Sequence, residues 1–255
     1  MTDSQKTNFE NWQQWGRRPD VSDTHHMDRL KGNLPEMEST KQLVKLISSV
    51  YEPGMRILDV GCNVGHYLTG IRKKYPKLDY VGVDAYKHYV DYAKNFFIND
   101  SHAKFLIKDI FKPIFPNDPF DVVFCCNVLL HLPDFRIPVK NLLSSTKKIC
   151  FIRSLFGDKT TKVNTPVIDE YDEEGNPLES YFHNTWKKEY FADFVNKLGW
   201  KVEFLVDEFD TSKIQQEYEN VKKHDKTYSG TAIINGKQVV DNIVLNYSWA
   251  KITSL

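Results

Sequence analysis

Apolar residues in this chain follow two alternating rhythms. Over residues 38–51, Leu43, Leu46, Ile47 and Val50 recur at the helical spacing, with Ser39 or Thr40 placed to cap the start and Pro53-Gly54 to stop the run. Short, nearly continuous apolar runs then alternate with amphipathic stretches. Strands are expected at 56–60, 80–83, 103–107, 121–126 and 148–153, and helices at 66–75, 86–98 and 135–145. Helices set between fully apolar strands predict a parallel sheet covered on both faces. Right-handed crossovers place the carboxyl ends of all the strands on one edge, where such sheets bind ligands. Asp59, Gly61, Asp84, Asp109 and Asn127 fall at those ends.

The rhythm changes after Phe156. Residues 157–186 are rich in acids and carry the turn Glu174-Gly175-Asn176-Pro177, which reads as an inserted loop or hairpin on the functional edge. A helix is expected at 186–198, capped by Asn184 or Thr185 and stopped by Gly199. Residues 200–206 alternate like a strand, 212–223 read as an exposed polar helix, and 243–252 as a last long strand. Between them Asn235-Gly236 joins two short apolar runs, a strong hairpin signal. Residues 1–37 have few aliphatic side chains but carry Trp12, Trp15, Arg17, Arg18, His25, His26 and Asp28, and form an N-terminal arm or a lid over a site. The remainder, 38–255, reads as one domain, with the insert at 157–186 and a long connection at 207–242.

Charge and cysteine content narrow the function. The chain has 255 residues, with 34 basic side chains against 34 acidic ones. This balance gives no electrostatic support for a nucleic-acid or membrane-surface partner. No apolar run is long enough to span a bilayer, and the polar start lacks a signal-peptide core. Cys62, Cys125, Cys126 and Cys150 fall in or beside expected core strands, which suits reduced thiols and a cytoplasmic setting. No CxxC pair occurs, and nothing completes a metal site around His25, His26 and Asp28, so no metal is expected.

The candidate chemistry centres on Met55–Leu68, a strand, a glycine turn and a helix start. Such a turn lets a ligand approach the backbone and the free N–H groups of the helix. A dinucleotide fingerprint would have glycine where Asn63 stands in Gly61-Cys62-Asn63-Val64-Gly65, and the lysine of a phosphate-binding loop is missing. The turn therefore suits a ligand without a pyrophosphate. Asp84 can accept from ribose hydroxyls. Asp109 can accept from an adenine amino group, with Ile110 packed on the base. Each acid has a plainer reading as a turn or helix cap.

Taken together, LDVGCNVGHYL, YVGVDAYKHYVDYAK, IKDIF and FDVVFCCNVLLHLPD resemble the seven-stranded, Rossmann-like class I S-adenosylmethionine-dependent methyltransferases. The resemblance covers residues 40–155 well and the last third only in outline. It implies an α/β three-layer sandwich with strand order 3-2-1-4-5-7-6, strand seven antiparallel, the N-terminal arm and inserted hairpin being additions. It implies that Asp59, Gly61 and Gly65, with Cys62 and Asn63 in the same turn, hold the methionine end of S-adenosylmethionine. Asp84 holds the ribose, Asp109 and Ile110 the adenine, and Asn127, Val128 and Leu129 line the sulfonium and substrate side. A base for the acceptor is sought beyond strand four and in the insert: His131 and His183 foremost, then Asp134 and Tyr181. Tyr67 and Trp15 are candidate pocket walls. The expected activity is methyl transfer to an oxygen or nitrogen of a small molecule such as a sugar, lipid precursor or metabolite. A nucleic acid such as tRNA is a less favoured acceptor. An NAD-dependent oxidoreductase and a non-catalytic cofactor-binding scaffold are the alternatives.

Overall fold

A computed structural model describes residues 10–13, 24–209, 232–240 and 243–254. Its elements in chain order begin with α1 (Thr24–Lys31), α2 (Glu38–Ser48), β1 (Arg56–Val60), α3 (His66–Lys74), β2 (Asp79–Asp84), α4 (Lys87–Phe96), β3 (Ala103–Ile107) and β4 (Phe120–Cys126). A 3-10 turn at Leu129–His131 leads into α5 (Arg136–Ser144) and β5 (Thr146–Gly157). The remainder comprises β6 (Asn164–Pro166), β7 (Ser180–Phe182), β8 (Trp186–Lys187), α6 (Lys188–Lys197), β9 (Trp200–Val206), β10 (Ala232–Ile234), β11 (Lys237–Val240), β12 (Ile243–Val244) and β13 (Tyr247–Ser254).

The main sheet runs β3-β2-β1-β4-β5-β13-β9, the order 3-2-1-4-5-7-6 that the sequence implied, with β8 added beside the end of β5. The β1–β5 pairings are parallel and β13 is antiparallel to both neighbours. Apolar clusters cover both faces. Leu58, Val123, Cys125 and Ile152 point into one, and Ile57, Val122, Phe124 and Cys126 into the other. Adjacent Cys125 and Cys126 thus face opposite sides, as a two-residue period requires. All four cysteines are free and buried.

Several expected boundaries shift, each for a packing reason. No side chain caps α2, whose N-cap is Met37; Ser39 Oγ instead pairs with the buried Tyr67 hydroxyl at 3.1 Å. The helix expected from 186 begins at Lys188, because Trp186 is buried against Phe135 and its strand pairs with Phe156–Gly157. Asn184 is no cap: it is fully buried, its Nδ2 donating to the Leu132 carbonyl (2.8 Å) and its Oδ1 accepting from Val163 N–H (3.1 Å). β5 outruns the expected 148–153, since Ser154, Leu155 and Phe156 are also buried. The last long strand starts at Tyr247, not 243, because Ile243–Val244 pairs with β11 instead. The Asn235-Gly236 turn joins β10 to β11, both residues at positive φ (51° and 74°) as a tight two-residue hairpin demands. The polar helix expected at 212–223, together with Trp15, Arg17 and Arg18, lies outside the described residues.

The insert forms an antiparallel hairpin of β6 and β7. The N-terminal segment joins its edge, where Ser180 N–H donates to the Asn11 carbonyl (3.0 Å) and Trp12 packs against Phe182 and Phe111, with ring centroids 6.2 and 6.1 Å apart.

Candidate active site

The carboxyl edge of the sheet opens into a cavity of about 650 Å³. Gly61, Asn63, Asp84, Asp109, Ile110, Asn127, Val128, His131 and His183, all expected site residues, share its wall with Tyr67 and Tyr181. The N-terminal segment adds Trp12, Gln13 and His26, and the connection after β9 contributes Val240 and Leu245.

The glycine turn packs closely against the loop after β4. Gly61 has φ +79°, and a Cβ there would meet Val128 Cγ2 at 2.3 Å. Asn63 is also left-handed (φ 50°), its Oδ1 accepting from Val64 N–H at 2.7 Å. Asn tolerates this conformation better than most residues, which explains why the turn does without the second glycine of a dinucleotide loop.

Four expected cofactor residues do not reach the cavity. Asp59, Cys62 and Leu129 are fully buried behind its wall, Leu129 packing in the core, and Gly65 lies against Phe97 and Phe105. Cys62 packs against Gly82, where a Cβ would stand 2.8 Å from Phe105 Cδ1 and 3.0 Å from Cys62 Sγ. Asp59 Oδ2 accepts from the Tyr80 hydroxyl at 2.6 Å. Burial pushes the Asp59 carboxyl up to about 8; Tyr80 opposes the shift and Asp84 adds to it. Asp59 is therefore a neutral acid beneath the turn at neutral pH.

Asp84 does what the plainer reading foresaw while also lining the cavity. Its Oδ2 accepts from Asn63 N–H (2.9 Å) and its Oδ1 from Tyr86 N–H (3.0 Å). Each carboxylate oxygen has more than one lone pair, so a capping carboxylate retains acceptor capacity toward a ligand. Asp109 similarly accepts from Phe111 N–H at 2.9 Å.

At the β4 end the structure brings together two histidines far apart in sequence. His131 and His183 lie ring to ring, centroids 5.2 Å apart, with Tyr181 edge-on to His183 at 5.1 Å. A carbonyl can only accept, so His131 Nδ1 is the protonated nitrogen, donating to Phe182 O at 2.8 Å, and Nε2 carries the lone pair. Burial, reinforced by His183 and opposed by the Phe182 carbonyl, pushes the His131 imidazole down to about 3. The ring stays neutral throughout the ordinary pH range.

Sequence reasoning passed over two site features. His66, first residue of α3, lines the cavity and stacks on His26 of α1 at 4.2 Å. His66 Nδ1 is buried without a hydrogen-bond partner among the described residues. Asp28 of the same helix accepts from Asn33 Nδ2 at 3.1 Å. The second feature is Arg153, buried on β5 behind Asn127. It makes a two-pronged ion pair with Asp207 (2.7 Å at each prong), donates to Asn127 Oδ1 (2.5 Å) and lies 3.8 Å over the Tyr247 ring. Burial works against its charge, but Asp207 outweighs that and raises its pKa. An arginine closing the apolar run Ile149-Cys150-Phe151-Ile152 was the available signal.

A family model described as a methyltransferase domain matches residues 57–148, the stretch from β1 to the start of β5 that carries most of this wall. Over that stretch the chain is similar to a methyltransferase domain. Among curated relatives, phosphoethanolamine N-methyltransferase 3 of Arabidopsis thaliana is 28% identical over 99 residues, 38% of this chain but only 20% of that protein. The chain thus spans about a fifth of that relative's length. Two solved structures share the fold. Magnesium protoporphyrin IX methyltransferase from Synechocystis PCC 6803, solved with bound SAM, aligns with a TM-score of 0.58 at 11% identity, covering 98% of this chain and 100% of that one. The cyclase SpnF aligns with a TM-score of 0.62 at 13% identity, covering 96% and 97%. Because one of these neighbours is a cyclase, the fold alone does not fix the reaction. Among the described residues no helix is long and apolar enough to cross a membrane.

Proposed function

We propose that the protein is an S-adenosylmethionine-dependent methyltransferase acting on a small molecule. The observation that carries this reading is one cavity whose wall joins the Gly61 cradle, Asp84, Asp109 and Asn127. Three features of the chain fit the cofactor: a glycine turn whose Gly61 and Asn63 line the cavity, a buried His66 Nδ1 without a partner among the described residues, and acids at the ends of β2 and β3. Asp84 would take the ribose, Asp109 and Ile110 the adenine, and Gly61, Asn63 and His66 the methionine end. Bound there, the cofactor supplies an electrophilic methyl group.

The chain's part is to hold the acceptor in line and exclude water. Trp12, Tyr181, Val240 and Leu245 wall the cavity, and in this sense the N-terminal arm would act as a lid. The size of the cavity and its aromatic walls suit a small molecule better than a polymer. A neutral His131, with its lone pair on Nε2, takes a hydrogen bond from the acceptor, and His183 stands beside it. Four buried free thiols fit a reducing, cytoplasmic setting.

Isothermal titration with S-adenosylmethionine, S-adenosylhomocysteine and NAD tests the reading. The two adenosyl ligands should bind and NAD should not, whereas stabilisation by NAD alone would sink it. Adenosylhomocysteine release with an acceptor separates a methyltransferase from a scaffold or a cyclase. Asp84→Ala should lose at least tenfold in adenosylhomocysteine affinity; unchanged affinity would remove Asp84 from the ribose site.

A further inference from the structure

We infer that Arg153 fixes the amide of Asn127 with its N–H2 group toward the reacting centre, and that the site therefore takes an oxygen, not an amine, as methyl acceptor. This rests on the cofactor reading above, which places Asn127 on the sulfonium side.

A guanidinium only donates, so the Asn127 atom facing Arg153 must be the oxygen. The contact is 2.5 Å, and Arg153 cannot swing away, being buried, paired with Asp207 and stacked on Tyr247. The backbone is held as well: Asn127 N–H donates to the Arg153 carbonyl (2.9 Å), and Asn127 sits at φ 59°. Arg153 and Asp207 lie behind the cavity wall while Asn127 forms part of it. With its oxygen turned to Arg153, the polar group Asn127 has left for the cavity is a donor.

A donor at that point discriminates between nucleophiles. A neutral amine has one lone pair, which the new bond consumes, and its remaining hydrogens would face the Asn127 hydrogens. A hydroxyl keeps a second lone pair that can accept from Nδ2 while the first attacks. The balance is then simple. The acceptor oxygen forms the new C–O bond, the electron pair of the broken C–S bond stays on sulfur, and the hydroxyl proton is released to solvent, the neutral His131 serving only to accept a hydrogen bond from the hydroxyl. Arg153 touches none of the reacting atoms and is a positioning residue.

Sinefungin tests this without any acceptor, because it carries an amine where S-adenosylmethionine has its methyl group. Titration calorimetry gives the ratio of sinefungin to adenosylhomocysteine affinity for the wild type and for Asn127→Asp, an isosteric change that turns the donor into an acceptor. The wild type should show no preference for sinefungin, and the variant should shift the ratio at least tenfold toward it. A role in folding alone would move both affinities together. A wild-type preference for sinefungin above tenfold, or a ratio unchanged by the substitution while both ligands bind, would overturn the inference and leave the cofactor reading standing. Failure of adenosylhomocysteine to bind the wild type would instead remove the cofactor reading and this inference with it. An O-methylated product from any acceptor supports the inference, and an N-methylated one refutes it.

Discussion

Asp59 lies under the glycine turn with almost no solvent contact, and its carboxyl is pushed from 3.8 up to about 8. Between these values the folded chain holds a proton that the unfolded chain releases. Folding stability from this site is therefore complete below about pH 4 and falls as pH rises toward 8. The difference is about four units, each about 1.4 kcal/mol, so the full loss approaches 6 kcal/mol. Asp59→Asn removes the titration and keeps an oxygen to accept from Tyr80. Urea unfolding of both proteins from pH 4.5 to 8.5 should give curves that diverge, the variant gaining on the wild type by up to about 1.4 kcal/mol per pH unit. Parallel curves, or a variant that loses ground as pH rises, would show that Asp59 is ionised in the fold and refute the reasoning.

Gly61→Ala should cost roughly 1–2 kcal/mol from the left-handed backbone, plus the clash with Val128, visible as a lower Tm; adding Val128→Ala should recover the clash but not the strain. Asp207→Ala leaves the buried Arg153 charge uncompensated and should lower stability by about 3–5 kcal/mol in urea titration, far more than loss of the exposed Lys45–Glu208 pair. Asp84→Ala should also lower the unfolding free energy in urea by about 1–3 kcal/mol, since Asn63 and Tyr86 N–H lose their acceptor; an unchanged free energy would mean the turn does not depend on it.

The sheet was readable because its strands are apolar on both faces and end in acids or asparagine, a pattern set by local sequence. The cavity wall from Gly61 to His131 was readable for the same reason. What escaped depends on partners distant in the chain. Ser39 looked like a cap because nothing near it reveals Tyr67, and Asn184 looked like one because Leu132 and Val163 are unseen in a linear reading. Arg153 was read only as the end of a strand; its partner Asp207 is 54 positions away. Asp59 matched the motif, yet depth behind the wall is a three-dimensional quantity that no spacing encodes.

The place of β13 between β5 and β9 bears on how the chain is made. On the ribosome, β9 emerges well before the strand it must pair with. Until residues 247–254 follow, β5 presents an open edge and β9 has no neighbour in the sheet. The nascent chain therefore carries two unpaired strands through the synthesis of some forty residues, a window in which edge-to-edge association with other chains competes with closure.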